Sequence, residues 1–326
     1  MKNTTTELLC LSSPKQYKNE IISLFNSFPY RDFQIKKLGI KKEEMLEYLW
    51  NTVVSHKGIS CALLHKNKLK AFSFSVVNRL VTGKLGVNSH SLRHFLISPD
   101  VDISDRSSFL AFCIDMIKQK KGHFVDFKAA APDTETIALF QHNNFKTVSG
   151  TINCLIKSLE KEPYFNGNVD IEKAKQENAD EIHRLVCKNH AHNHYNYDTS
   201  IPHDKIGDLY GTLVTKTLKM NNTTTLAAKN RDTGKIEGVI SFKTNPAISL
   251  FSRYNFASLD FIAVDSNCRS KGLGDFLNRA ALREINKQGI EKVVVRTMYS
   301  NYAAIAILQK LGMRITSSDM IFHKWL

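Results

Sequence analysis

The sequence predicts an α/β (α+β) chain made of two related halves, each a mixed, mostly antiparallel sheet flanked by helices. Three observations predict this. The chain has 326 residues, about twice the usual ~100–200 residues of one domain. The stretch 136–145, TIALFQHNNF, aligns with 304–313, AIAILQKLGM, at an offset of 168, and 94–98, HFLIS, aligns with 260–264, DFIAV, at an offset of 166. The order of elements repeats as well: apolar strand, amphipathic helix, β-branched strand, helix. A period this long is no solenoid and marks duplicated domains.

The elements follow in order. In the first half, strand 94–98 precedes a helix at 109–120, a strand at 124–127 and the shared helix pattern. The polar stretch 158–168, SLEKEPYFNGN, holds Pro163 and Gly167 and reads as a linker, dividing the chain into 1–160 and 168–326. The second half opens with a strand at 168–172 and helices at 178–189 and 204–218. Runs 224–229 and 236–242 turn at Asp232-Thr233-Gly234 as a hairpin. Strand 257–264, helix 274–287 and strand 292–296 come next, and two extended runs at 314–317 and 319–325 end the sequence.

Composition narrows the class. Hydrophobic residues are 42%, which suffices for packed cores, and Gly 15 and Pro 7 are too few for a collagen-like or linker-dominated chain. No run approaches 18 apolar residues and the first 21 residues contain no signal-like apolar core, so a soluble, cytoplasmic protein is expected, with no membrane partner. The six cysteines are at least 33 residues apart, which excludes CxxC metal or redox spacing. The net charge of +14 suits nucleic acid, an anionic membrane or phosphorylated small molecules. The lysines are scattered rather than gathered into a tract, and charge alone does not decide among these; the reading as a whole expects no nucleic-acid partner. Oligomeric state is left open.

The chemistry concentrates in 259–278, LDFIAVDSNCRSKGLGDFLN. A strand apolar on both faces ends at Val264, and a turn containing Arg269, Lys271, Gly272, Leu273 and Gly274 leads into a helix. Free amides at a helix start, its positive dipole end and two cations suit a pyrophosphate, with the glycines admitting close approach. The glycines also suit an ordinary helix start. Neither the P-loop pattern nor the Rossmann fingerprint is present.

Arg269-x-x-Gly272-x-Gly274 resembles the coenzyme A pyrophosphate loop of the GCN5-related N-acetyltransferases (GNATs). Asn301, Ala304, Lys310 and Gly312 fall on that superfamily's N-x-x-A-x-x-x-Y-x-K-x-G-F pattern. The resemblance implies two tandem GNAT-like domains, with acetyl-CoA as acyl donor and no metal. It implies that backbone groups of Ile262 and Val264, with Asn301, hold the pantetheine arm. The amides of Gly272, Leu273 and Gly274, with Arg269 and Lys271, would hold the pyrophosphate. The first half has Asp100, Asp102 and Asp105 in the matching stretch and no glycine, so 1–160 is expected to be a degenerate copy and 168–326 the catalytic domain. The pattern's Tyr, a proton donor to the leaving thiolate, is Leu308 here; Tyr299 and Tyr302 are neighbours that could substitute.

Residues 191–218 and the tail 317–325 resemble the dTDP-fucosamine acetyltransferase family. This implies transfer of acetyl to the amine of a nucleotide-linked amino-deoxysugar for surface polysaccharide. The amine must lose a proton, and the candidates for the base or its water relay are His194, Asp198, Asp260 and His323. The spaced histidines 190, 192 and 194 lack acidic or Cys partners in sequence and read as solvated or substrate-facing. Two other readings stay open. One is a tandem acyltransferase of another small amine, as in thiol-cofactor biosynthesis or aminoacyl-tRNA-dependent transfer. The other is a non-catalytic coenzyme A-binding module.

Overall fold

The computed structural model describes residues 6–27 and 30–326, so the first five residues of the N-terminal stretch lie outside it. Two compact units form. One comprises residues 1–150 together with 318–326, the other residues 151–317. This division differs from the expected 1–160 and 168–326, because the last strand of the chain completes the first unit.

The first unit contains β1 (Thr6–Leu11), α1 (Lys18–Asn26), α2 (Tyr30–Leu38), α3 (Lys42–Val54), β2 (Ile59–His65), β3 (Lys68–Val77) and α4 (Arg79–Leu85). These are followed by β4 (Ser89–Ile97), α5 (Ile103–Gln119), β5 (Phe124–Ala130), α6 (Thr134–His142) and the start of β6 (Lys146–Lys157). The second contains the rest of β6, then β7 (Val169–Lys173), α7 (Ala179–Lys188), α8 (His203–Thr217), β8 (Thr223–Asn230), β9 (Ile236–Thr244) and β10 (Phe256–Val264). It continues with α9 (Leu273–Lys287), β11 (Lys292–Met298), α10 (Tyr302–Lys310) and the start of β12 (Arg314–Trp325). The two extended runs expected at the end are therefore one strand, shared between units.

The strands of each unit run in matching order, β1-β2-β3-β4-β5-β12 in the first and β7-β8-β9-β10-β11-β6 in the second. All pairs are antiparallel except β4/β5 and β10/β11, which are parallel. The sixth place is filled differently in each unit: residues 319–325, from the end of the sequence, pair with β5, and residues 151–157, which open the second unit, pair with β11.

Helices cover both faces of the second unit's strands. On one side Leu273, Leu277, Ala281 and Ile285 of α9 and Leu308 of α10 pack on Leu226, Phe242, Leu259 and Val293. On the other, Ile182, Leu185 and Val186 of α7 and Val214 of α8 pack on Ala227, Val239 and Ala263. A strand covered on both faces has no polar side to alternate with, which is why β10 is apolar on both faces except at Ser258 and Asp260. In the first unit, α5 and α6 bring Phe109, Leu110, Ile114 and Phe140 onto Leu92, Phe95, Val125 and Phe127.

Candidate coenzyme site

The site grows from an irregularity in β10. Its ladder with β9 skips one residue, pairing Leu259 with Phe242 and Phe261 with Ser241, so Asp260 is a bulge. A bulge resets the alternation of faces: Leu259 and Ile262, three apart, pack on the same α9 side, while Ala263 faces α7. The parallel ladder between β10 and β11 ends at Leu259 opposite Val295. Beyond it, residues 260–264 keep β9 on one edge and leave the other open, and Ile262 and Val264 lie on this stretch. The Val264 carbonyl accepts a bond from Arg269 Nε at 3.3 Å.

Past Val264 the chain makes a turn braced by Asp265, whose Oδ1 accepts from the Asn267 amide at 2.9 Å. Ser270 and Gly272 then take φ of 61° and 86°. At Gly272 this left-handed conformation favours glycine. Gly272 is the N-cap of α9 and no side chain caps the helix start, so the first amides, Leu273 and Gly274 among them, present donors outward. Gly274 is bare for a different reason: a Cβ there would meet Ile307 Cδ1 at 3.4 Å and Val264 Cγ2 at 4.0 Å, ordinary contact. Neither sterics nor its backbone forbids a larger side chain, and its absence leaves a gap at the helix start. Positive dipole, free amides, exposed Lys271 and Arg269 make this an anion cradle. The residues present, two cations beside uncapped helix amides, fit a group that carries a diphosphate.

Asn301 caps α10 with its side chain, Oδ1 accepting from the Ala304 amide at 3.2 Å. Leu308 is 3% exposed and belongs to the core beneath α9, so its side chain packs with Leu259 and Leu277 rather than entering an open cleft. Tyr299 and Tyr302 follow the end of β11 and are exposed.

The 190–200 segment is held by its own side chains. Asn193 Oδ1 accepts from the Asn196 amide at 3.1 Å, while Asn196 Nδ2 donates to the carbonyls of His190 and Ala191. Asp198 is buried and its Oδ1 accepts from the Ser200 amide at 3.1 Å, which makes it a turn-bracing group. His194 is half-buried, its ring 4.0 Å from that of Tyr195. The Tyr197 hydroxyl lies 2.7 Å from Ser300 Oγ, tying this segment to the turn after β11 beside Tyr299.

Asp260 is the candidate base that lies at the fork of β10 and β11. Asp260 is exposed on the strand, yet desolvation by the groups packed around its carboxyl raises its pKa above the usual carboxylate range, against the Ser258 hydroxyl and the charges of Lys243 and Arg296, which lower it. His323 is a correction. It lies in the first unit, 1% exposed, on β12 opposite Asp126 and edge-on to Phe124 at 4.8 Å.

One residue at this site, Asn189, was not singled out from sequence: Arg269 Nη2 donates to Asn189 Oδ1 at 2.6 Å. Its only sequence signal was proximity to the histidine-rich loop 190–194. Of those histidines, His192 is close enough to Arg269 that its pKa is lowered, by burial first and by that positive charge second. Among the described residues no group of three His, Cys, Asp or Glu is placed to hold a metal ion, and no helix is long and apolar enough to cross a membrane.

The matching strand orders of the two units, the forked parallel pair and the uncapped α9 define a tandem GNAT fold. Residues 181–313 match the family described as Acetyltransferase (GNAT) family. Across nearly the whole chain the fold is similar to a GCN5-related N-acetyltransferase from Sphaerobacter thermophilus, with TM-score 0.67, 11% identity, and 98% of this chain and 95% of that one covered. It is also similar to a tandem GNAT protein from the clavulanic acid biosynthesis pathway, with TM-score 0.61, 11% identity and 98% of each chain covered. In sequence it resembles the mycothiol acetyltransferase of Saccharomonospora viridis, 30% identical over 88 residues. That match spans 27% of this chain and 29% of the relative's length.

Proposed function

We propose that the second unit is an acetyl-CoA-dependent N-acetyltransferase acting on the amine of a small acceptor, and that the first unit is a degenerate copy without a pyrophosphate site. The observation that carries this reading is the uncapped start of α9 behind the left-handed Gly272, beside the open edge of β10. In this reading the amides of Gly272, Leu273 and Gly274, with Arg269 and Lys271, bind the pyrophosphate. Arg269 exchanges its Asn189 and Val264 partners for phosphate oxygens. The 262–264 backbone and Asn301 orient the pantetheine arm, which brings the thioester to the fork.

The acceptor's ammonium must lose a proton before its lone pair attacks. Asp260 takes it at the fork, directly or through one water. The rate gain comes chiefly from holding amine and carbonyl together. Leu308 is in the core and donates nothing, so the departing thiolate, with an ordinary pKa of ~8.5, is protonated by solvent or by Tyr299 or Tyr302.

For the acceptor, the resemblance of 191–218 favours a nucleotide-linked amino-deoxysugar. The matching tail, 317–325, now belongs almost wholly to the first unit and lends that reading no support at this site. The curated relative favours a second reading, the amine of a thiol-cofactor precursor. Calorimetric titration with acetyl-CoA, followed by thiol release on addition of each amine class, tests both. Arg269→Ala is expected to weaken acetyl-CoA binding by roughly 10–150-fold, the worth of one charge-assisted contact. Unchanged affinity would remove the site from this loop.

A further inference from the structure

On the face of α7 that meets α8, a thiol, an imidazole and a carboxylate cluster. Cys187 Sγ lies against the His183 ring, 3.4 Å from Nδ1 and 3.9 Å from Nε2, and Nε2 is 3.1 Å from Asp208 Oδ1. His183 and Cys187 are four apart on one helix, and Asp208 comes from its neighbour. Gly211, one turn along α8, makes the room: a Cβ there would lie 2.7 Å from His183 Cδ2 and 2.9 Å from Cys187 Sγ. The imidazole and carboxylate side chains are 33% and 45% exposed, so water and small solutes reach them.

The arrangement has a chemical direction. A carboxylate accepting from Nε2–H fixes the tautomer that leaves Nδ1 as an acceptor, which then draws the proton from the thiol. Four other cysteines have surroundings that disfavour the thiolate. Cys113 and Cys154 are buried, and burial pushes both thiols up, that of Cys154 to about 11. Cys10 is raised by burial and by Cys61, and Cys268 by burial and the Glu237 carboxylate.

We propose that Cys187, activated by His183 and Asp208, is a reactive thiol that exchanges with small disulfides. His183 Nδ1 takes the thiol proton, and the Cys187 thiolate attacks one sulfur of RS–SR. A new S–S bond forms, RS⁻ leaves with the electron pair of the broken bond, and it takes the proton from His183 to give RSH. The disulfide is the oxidant and no other reactant is needed.

The adduct has a structural consequence. Gly211 and Gly207 pack directly on the Cys187 side chain and backbone: a Cβ on either would come within 2.9 Å of Cys187 Sγ or its carbonyl. The adduct therefore adds bulk at a closely packed end of α7. Two residues on, Asn189 holds Arg269 at 2.6 Å. Modification thus disturbs the arginine of the anion cradle, a coupling that rests on the functional reading above.

The test treats the full chain with oxidised glutathione and follows each cysteine by peptide mass mapping. Cys187 is expected to react about tenfold or more faster than Cys10 and Cys268, and Asp208→Asn, checked for folding by circular dichroism, is expected to slow Cys187 several-fold. Equal rates at the three cysteines, or a Cys187 rate indifferent to Asp208→Asn, would overturn the assignment. In a second arm, glutathionylated protein is expected to bind acetyl-CoA more weakly, with dithiothreitol restoring affinity and Cys187→Ser abolishing the response. Modified Cys187 with unchanged acetyl-CoA affinity would overturn the coupling. Failure of the untreated protein to bind acetyl-CoA at all would instead overturn the functional reading, and the first arm would still decide the thiol.

Discussion

The two units place the same fork at the same register and then finish it differently. In the first unit Arg93 is the bulge, skipped between the pairs Phe74–His94 and Ser75–Leu92, and the β4/β5 ladder ends at Leu92 opposite Phe127. In the second, Asp260 is the bulge and the ladder ends at Leu259. Helix α5 then starts under Asp102, whose side chain accepts from the Asp105 amide at 2.8 Å. Arg106 closes the same loop by donating to the Val101 and Pro99 carbonyls at 2.7 and 3.0 Å and to Glu135. Helix α9 starts under Gly272 with nothing in that place. One helix end is satisfied from within, and the other has no side-chain cap. In the proposed reading, that capping residue is what separates the helix start that binds an anion from the one that does not.

The comparison breaks most visibly at the bulge. If Asp260 is the base, Asp260→Asn should lower kcat by about 10²–10⁴-fold while leaving acetyl-CoA affinity unchanged. Because desolvation raises this carboxyl, the acid limb of the wild-type pH–rate profile should lie above the ordinary carboxylate range and vanish in the variant. Equal activity in the two proteins would assign proton removal elsewhere.

The helix starts give the next largest effect. Gly272→Asp installs a first-unit cap in the second unit. It should reduce acetyl-CoA affinity by at least about 10–150-fold, since it removes an amide contact and opposes the phosphate charge. The reverse change, Asp102→Gly, should create no site, because Arg106 still fills the loop. Calorimetry should therefore give one acetyl-CoA per chain for both the wild type and Asp102→Gly, and a second comparable site would end the asymmetry.

Leu308 and its counterpart Phe140 test whether the missing tyrosine matters. Both are buried, at 3% and 0% exposure. Leu308→Tyr should overpack the core beneath α9 and cost about 1–3 kcal/mol in denaturant unfolding without raising turnover. A faster enzyme of unchanged stability would show that this position still faces the thiolate.

Much of this asymmetry was readable beforehand. The glycines, the three aspartates and the shared helix pattern stand in the sequence, and helix starts are governed by residues local to them. Even there the repeat was one residue out. HFLIS pairs with DFIAV at an offset of 166 by sequence, but bulge matches bulge, Arg93 with Asp260, at 167. One residue is enough to turn every side chain to the other face. The strand exchange was not legible, because residues 319–325 carry the same alternation whichever unit they join. That is why His323 was assigned to the wrong unit. Cys187 and His183 share a helix face that any sequence reading could list, whereas Asp208 reaches them only through the packing of α7 on α8.

The smallest expected effect concerns a row of side chains that differs between the units. At one register the first unit carries Ser91, Asp126 and His323 side by side, where the second carries Ser258, Val294 and Leu155. Ser91 donates to Asp126 at 2.8 Å. Even so, burial dominates and raises the Asp126 carboxyl, with Ser91, Lys128, His323 and Arg93 pulling it down less strongly. A carboxyl whose folded pKa exceeds its unfolded value favours the folded state when protonated. Its contribution is full below the unfolded carboxylate pKa and is lost as pH rises through the folded one. Asp126→Asn keeps a Ser91 partner and removes the charge, so it should unfold at higher urea than wild type near neutral pH, with the gap closing as pH falls into the carboxylate range. The second unit, with Val294 in this place, should show no such dependence from its own row. A variant less stable than wild type at neutral pH would mean that the cations around Asp126 outweigh its burial, and the row would then be a stabilising ion cluster rather than a polar cost confined to the first unit.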